Sequence, residues 1–135
     1  MNTASKTIVE VVAAKICRGN AFLLCQRAEN QSRALMWEFV GGKVEPGETK
    51  EQALIRECRE ELGVSLIVHE PLIDISHVYP DITIHLTLFR AETTDEPQKL
   101  EHNAIRWVTE EQLPEYTLCP ADAEMVALLQ KTTQA

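Results

Sequence analysis

Glu57, Glu60 and Glu61 close the run Gly42 to Val64, GKVEPGETKEQALIRECREELGV, and are related by three and four positions. On a helix that spacing puts them on one face. Like charges so placed repel by about a few tenths of a kcal/mol per pair. Acids near a helix C-terminus also oppose its dipole. A helix selected only for stability would not carry them. A hard divalent cation relieves the repulsion, and magnesium accepts a few carboxylates while keeping positions open for water and phosphate oxygens. Such an ion would bring in a polyphosphate. Glu48 and Arg56 lie in the same run, and Arg56 is read as structural, bonding Glu48 and orienting the metal-binding acids. The plainer alternative is a solvated acidic face laced by pairs such as Arg56 with Glu60. The preceding Gly41-Gly42 pair, Glu48 and the full register weigh against it.

The element that must hold these acids is legible too. Thr49 followed by Gln52 is a capping box just after the Pro46-Gly47 turn, so a helix starts near Lys50. Leu54, Ile55, Cys58 and Leu62 form its apolar stripe, and Gly63 is placed to close it. Around it, Thr7 to Cys17 reads as a central strand, Arg18-Gly19-Asn20 as a turn, and Ala21 to Gln26 as the returning hairpin strand. Trp37 to Val40 is a short strand leading to the glycine pair. Ser65 to His77 is a long strand region. Ile82, Ile84, Leu86 and Leu88 alternate with Thr83, His85 and Thr87 on the other face of the next one. Ile105 to Val108 is a further strand, and Thr109 to Gln112 begins a short helix before Pro114. Pro120 to Lys131 ends the chain as an amphipathic helix, packing through Ala121, Met125, Leu128 and Leu129. Strands flanking one helix with a second at the end predict an α/β sandwich around a mixed sheet.

The spacing Gly42, five residues, Glu48, seven residues, then Arg56-Glu57-Cys58-Arg59-Glu60-Glu61-Leu62-Gly63-Val64 resembles the Nudix box. Within that superfamily the chain is similar to the MutT-type nucleoside triphosphate pyrophosphohydrolases, over about Val11 to Leu128. The resemblance implies the Nudix fold, an α/β/α sandwich with a central mixed sheet, over a single domain spanning 1–135. It implies metal ligation by the Gly41 carbonyl with Glu57, Glu60 and Glu61, and by Glu101, six residues before Trp107. Magnesium is the ion implied, with manganese able to take its place. Substrate contacts fall on Arg27, Glu38, Lys43 and Asp122. Arg27 reads equally as a solvated charge at a strand end and Asp122 as an ordinary cap of the last helix, while a solvated acid is the lesser reading of Glu101. Val40 stands where a proline is commoner in such enzymes, which alters backbone stiffness more than chemistry.

The activity implied is substitution at phosphorus, giving a nucleoside monophosphate and pyrophosphate, as in clearing the nucleotide pool ahead of DNA repair. Glu57 or Glu101 would be the general base; family members differ, and both stay open. Trp37 to Lys43 and Tyr116 to Asp122 resemble the CTP pyrophosphohydrolase branch as much as the 8-oxo-dGTP diphosphatase branch. Ile82 falls where some relatives carry a base-side arginine. Trp37, Phe39 and Tyr79 are candidates to stack a base, though Trp37 and Phe39 read equally as core. His69, His77, His85 and His102 are scattered and receive no catalytic role. A nucleotide-sensing domain without turnover, and a hydrolase of diphosphate-linked substrates such as ADP-ribose, are the alternatives. The first should have lost a box acid, and this chain keeps all of them.

Composition sets the remaining bounds. A chain of 135 residues with 44% hydrophobic content fits one buried core. Thirteen basic against 21 acidic residues give a net charge of −8, which argues against duplex nucleic acid as a partner. No apolar run is long enough for a membrane span, and Met1 to Lys6 lacks a signal-peptide core. Cys17, Cys25, Cys58 and Cys119 have no zinc-like spacing and fit reduced thiols in the cytoplasm, with a Cys17–Cys25 contact across the hairpin left open. The expected species is a cytoplasmic monomer or homodimer.

Overall fold

The computed structural model describes residues 8–133. The readings for Met1 to Lys6, and for Thr7 as the start of the first strand, lie outside these residues. In chain order the elements are β1 (Ile8–Arg18), β2 (Ala21–Gln26), β3 (Trp37–Glu38), β4 (Val40–Lys43), α1 (Lys50–Leu62), β5 (Ile67–Val78), β6 (Thr83–Glu92) and β7 (Ala104–Val108). A 3-10 turn, Glu110–Glu115, and α2 (Pro120–Thr133) follow.

β1 is the organising strand. It runs parallel to β6 from Ile8 to Ile16, lies antiparallel to β4 over Val11–Ala14, and turns back onto β2 at Cys17 and Arg18. β5 extends the sheet beyond β6, and β2 carries both β3 and β7 antiparallel. One parallel pair among antiparallel neighbours makes the sheet mixed. Period-two alternation explains why β1 can sit at its centre. Val12, Ala14 and Ile16 pack with Ala53, Leu54, Cys58 and Leu62 of α1. Ala13 faces the opposite way, in a cluster with Phe22, Leu86, Leu88 and, from α2, Ala121 and Met125. One helix therefore covers each face, the α/β/α sandwich expected.

α1 begins and ends where its sequence says. Thr49 accepts a hydrogen bond from the Gln52 N–H, while the Gln52 side chain accepts from the Thr49 N–H. Gly63 closes the helix at φ 69°, a left-handed conformation that glycine adopts without strain, and its N–H reaches the Arg59 carbonyl. Burying Leu54 and Leu62, both 0% exposed, stabilises the fold by about 1.5–3 kcal/mol each and fixes the rotation of the helix.

The structure departs from the sequence reading in several places. Trp37 to Val40 is two strands, because the Phe39 N–H donates to the Asp122 carboxylate instead of continuing a strand ladder. Ile55 is exposed on α1, and Ala53 takes its buried place. Leu128 is exposed on α2, whereas Val126 and Leu129 pack on the core. The 3-10 turn includes Pro114 rather than stopping before it. β5 spans Ile67–Val78 with irregular pairing around Pro71. Cys17 pairs with Phe22 across the hairpin, and all four cysteines are free thiols.

Candidate active site

The acid face is braced by one arginine. Arg56 donates from Nε and Nη2 to the two oxygens of Glu48, at 2.7 and 3.0 Å, a bidentate fork. Nη1 reaches Glu57 at 3.0 Å and Glu60 at 3.4 Å, and Nη2 also donates to the Lys43 carbonyl at 3.0 Å. Glu48 accepts in addition from the Glu45 N–H. The hydrogen bonds from Arg56 hold the Glu48 carboxyl at about 2, so it is an anion at any working pH. Arg56 thus links the helix to the loop before it and aims Glu57.

The three box acids are not equivalent. Glu57 and Glu61 are largely buried at the side chain, 15% and 13% exposed, whereas Glu60 is 54% exposed and stands at the rim. Gly42 is a glycine for a steric reason: a Cβ there would collide with the Glu57 carboxyl. A Cβ on Gly41 would strike the Val12 backbone carbonyl across the β1–β4 pairing. Burial first, then Glu57, Glu38 and Glu101, push the Glu61 carboxyl far above the ordinary range. Glu101 lies in a loop pinned to the end of α1, where the N–H groups of Gln98 and Leu100 donate to the Leu62 and Glu61 carbonyls. These crowded oxygen donors suit a hard divalent cation, which would let neighbouring carboxylates ionise together.

A cavity of about 380 Å³ opens beside this face, with Gly41, Gly42 and Lys43 as the shared wall. Arg27, just past β2, donates to Glu38 at 3.0 Å and to the Ser32 carbonyl at 2.7 Å. Glu38 in turn approaches His102 Nε2 at 3.6 Å, and His102 stands 3.4 Å from Glu61. His102 is 6% exposed at its side chain, and its Nδ1 is buried without a partner. Sequence reading gave this histidine no role. Apart from following Glu101 it carries no signal in the sequence, and folding alone brings it to Glu38 and Glu61. Arg27, Glu38, His102 and Glu61 form one chain of polar contacts from the cavity to the acid face.

Asp122 is the buried acid of the cavity. It is the third residue of α2, not its cap, and its carboxylate accepts the Phe39 N–H at 3.0 Å. Burial first, then the Glu38 charge, push its carboxyl up to about 8. Tyr79 also lines the cavity, its hydroxyl accepting the Ala121 N–H at 2.8 Å. Phe39 and Ile82 line it as well, while Trp37 packs edge-on against Tyr116 instead. Ligand atoms of Glu38, Cys119 and Asp122 lie within 4.8 Å of one another. Burial, then the Asp122 and Glu38 charges, raise the Cys119 thiol to about 12, so a protonated sulfur faces the space. That trio makes a polar cavity wall rather than a second oxygen-rich cation site.

A profile of the NUDIX domain matches residues 11–128. The chain is 40% identical over 120 residues to the CTP pyrophosphohydrolase of Escherichia coli (strain K12), covering 88% of this chain and 89% of that one. It is 36% identical over 131 residues to the 8-oxo-dGTP diphosphatase of Haemophilus influenzae, covering 95% and 96%. Among solved structures it is similar to a MutT NUDIX hydrolase from Burkholderia pseudomallei, with a TM-score of 0.80 at 28% identity, covering 87% of this chain and 94% of that one.

Proposed function

This chain belongs to the NUDIX domain family, and we propose that it is a magnesium-dependent pyrophosphohydrolase cutting a nucleoside triphosphate to the monophosphate and pyrophosphate. The observation that carries this reading is the shared wall. Gly41 to Lys43 separate a buried acid face from a cavity with a paired arginine and a buried acid. One side suits phosphates and the other a base.

Glu57, Glu60, Glu61, Glu101 and the Gly41 carbonyl are the groups we assign to hold magnesium, with manganese as a substitute. When bound, the ion neutralises phosphate oxygens and lowers the pKa of water. The chain's own residues do the rest. Arg56 and Glu48 keep Glu57 in place, and Glu57 or Glu101 takes the proton from the attacking water. Lys43, exposed on the shared wall, meets a phosphate oxygen, and Arg27 leaves Glu38 to do the same or stays to orient it. Asp122, with a carboxyl near 8, is protonated at neutral pH. It therefore donates to a ring acceptor while a Glu38 oxygen accepts from an exocyclic amine, a pattern cytosine matches.

We read the whole chain as one such domain, acting in the cytoplasm on free nucleotides as a monomer or homodimer. Its net charge of −8 disfavours duplex nucleic acid. Among the described residues, no helix is long and apolar enough to cross a membrane. The test is a screen of CTP, dCTP, dGTP and 8-oxo-dGTP with magnesium, separating pyrophosphate from phosphate release. Pyrophosphate from at least one of them is expected. Binding of these nucleotides without turnover would sink the enzymatic reading in favour of a sensor.

A further inference from the structure

Arg33 stands in the turn segment between β2 and β3 at φ 54°, a left-handed conformation uncommon for a side-chain-bearing residue. The segment is folded back on itself: Arg27 N–H donates to the Met36 carbonyl, Leu35 N–H to Arg27, and Met36 N–H to Arg33. A residue held in such a conformation persists where its surroundings over-determine it, and such residues gather at ligand sites. Here the surroundings are explicit. The Arg33 guanidinium lies over the Tyr79 ring, 3.9 Å from its centroid, and donates to Asp81 at 3.0 Å. Asp81 belongs to the tight turn joining β5 to β6, where Tyr79 and Ile82 exchange backbone hydrogen bonds.

The same side chain is 21% exposed and lines the cavity. The hydrogen bond from Arg33 holds the Asp81 carboxyl below its ordinary range, so the cation is compensated where it sits. An arginine already matched by a carboxylate is poorly suited to capture a phosphate. Its planar group, set over an aromatic ring at 3.9 Å, is suited to stack on a second planar group. Tyr79 ties this surface to the acid of the cavity, because its hydroxyl holds the Ala121 N–H and Asp122 is the next residue. A base whose edge meets Asp122 thus has a stacking face on the same wall.

We propose that Arg33 binds the substrate's nucleobase by stacking, held flat for that purpose by Tyr79 and Asp81, and so sets affinity for the base rather than for the phosphates. The inference rests on the nucleotide reading above. It is tested with Arg33→Ala, Arg33→Lys and Asp81→Asn, measuring KM and kcat for the best substrate of the wild-type screen. Inhibition by the matching nucleoside monophosphate and by inorganic pyrophosphate is measured alongside. Arg33→Ala should raise KM about tenfold and weaken the monophosphate by a similar factor, with kcat within about twofold and pyrophosphate inhibition unmoved. Arg33→Lys should behave like Arg33→Ala, since lysine keeps the charge and the reach to Asp81 but has no plane to stack. Asp81→Asn should shift KM the same way by less, and serves if Arg33→Ala does not fold. Wild-type KM in Arg33→Lys would reduce the pair to a latch between two loops and overturn the proposal. Weakened pyrophosphate inhibition would move Arg33 to the phosphates and overturn it equally. A wild-type protein inactive on every nucleotide would sink the nucleotide reading first, and this inference with it.

Discussion

The acid face of α1 and the cavity beside it are built at different ranges along the chain. Glu48, Arg56, Glu57, Glu60 and Glu61 come from one loop and one helix, and the Arg56 guanidinium ties three of the four acids together. The cavity draws Arg27 from the end of β2, Glu38 from β3, Tyr79 from the β5–β6 turn and Asp122 from α2. The first arrangement is specified by helical period and one salt-bridge network. The second exists only once the sheet has closed. On the proposed reading, most of the metal-binding face is encoded locally, with Gly41 and Glu101 added by folding, and base choice by tertiary packing, so the two should fail separately when mutated.

The separation is broken most severely at Glu57 and Glu61. Glu57→Gln and Glu61→Gln should each lower kcat by about a thousandfold or more, because the amide keeps the shape and loses the anion for the metal. Ratios of kcat/KM among bases should hold steady in the residual activity, and the folded state should survive. Near-wild-type rates with magnesium in both variants would remove these acids from the chemistry.

Arg56 comes next. Arg56→Ala should cost about 10- to 100-fold in activity or metal affinity, the usual cost of losing a group that orients metal ligands. Arg56→Lys should recover little, since an ammonium cannot fork onto Glu48 while still reaching Glu57. Unchanged magnesium affinity together with an unchanged unfolding midpoint in Arg56→Ala would show that the brace is decorative.

The same division decided what could be read from the chain. Thr49, Gln52 and Gly63 delimit α1 because caps are short-range chemistry, and both caps form where their residues stand. The alternation of Ile84, Leu86 and Leu88 in β6 placed those residues in the core, although Thr87 on the other face is buried as well, and the two helices fell on opposite faces as expected. Long-range contacts were not legible. Nothing local says that the Phe39 N–H would leave the sheet for Asp122, which splits the expected strand. Asp122 read equally as a base-reading acid and as an ordinary cap, because both place an acid at a helix start, and only the fold shows its carboxylate serving another segment. His102 was passed over because a lone histidine carries no spacing signal, and only folding brings it to Glu38 and Glu61. Arg33 was missed for the same reason. Its partners Tyr79 and Asp81 lie in the β5–β6 turn, and no sequence pattern announces them.

The effect on turnover is smallest at Asp122, and there the readout most diagnostic for the cavity is a pH dependence. Asp122 has a folded pKa of about 8, raised by burial and by Glu38, against about 3.9 for an unfolded aspartate. A carboxyl raised in the folded state keeps its proton there while the unfolded chain has already released it. Stability is thus fully present below about pH 4 and is lost as pH rises toward 8, by on the order of a few kcal/mol. Asp122→Asn keeps an oxygen to accept the Phe39 N–H and has no charge to bury. Its unfolding midpoint should match that of the wild-type protein near pH 4 and exceed it by several degrees near pH 8. Groups titrating elsewhere cancel in the difference between the two proteins. Turnover at neutral pH should remain, since the acid face is untouched, while the ranking of CTP, dGTP and 8-oxo-dGTP shifts by about 1 to 3 kcal/mol in kcat/KM. Parallel stability curves from pH 4 to 9 would mean that Asp122 is ionised in the folded protein, and the base-donating role would have to pass to another group. Converging curves with an unmoved base ranking would leave Asp122 a buried acid that only joins α2 to Phe39, and would move base selection to Glu38 and the stacking wall.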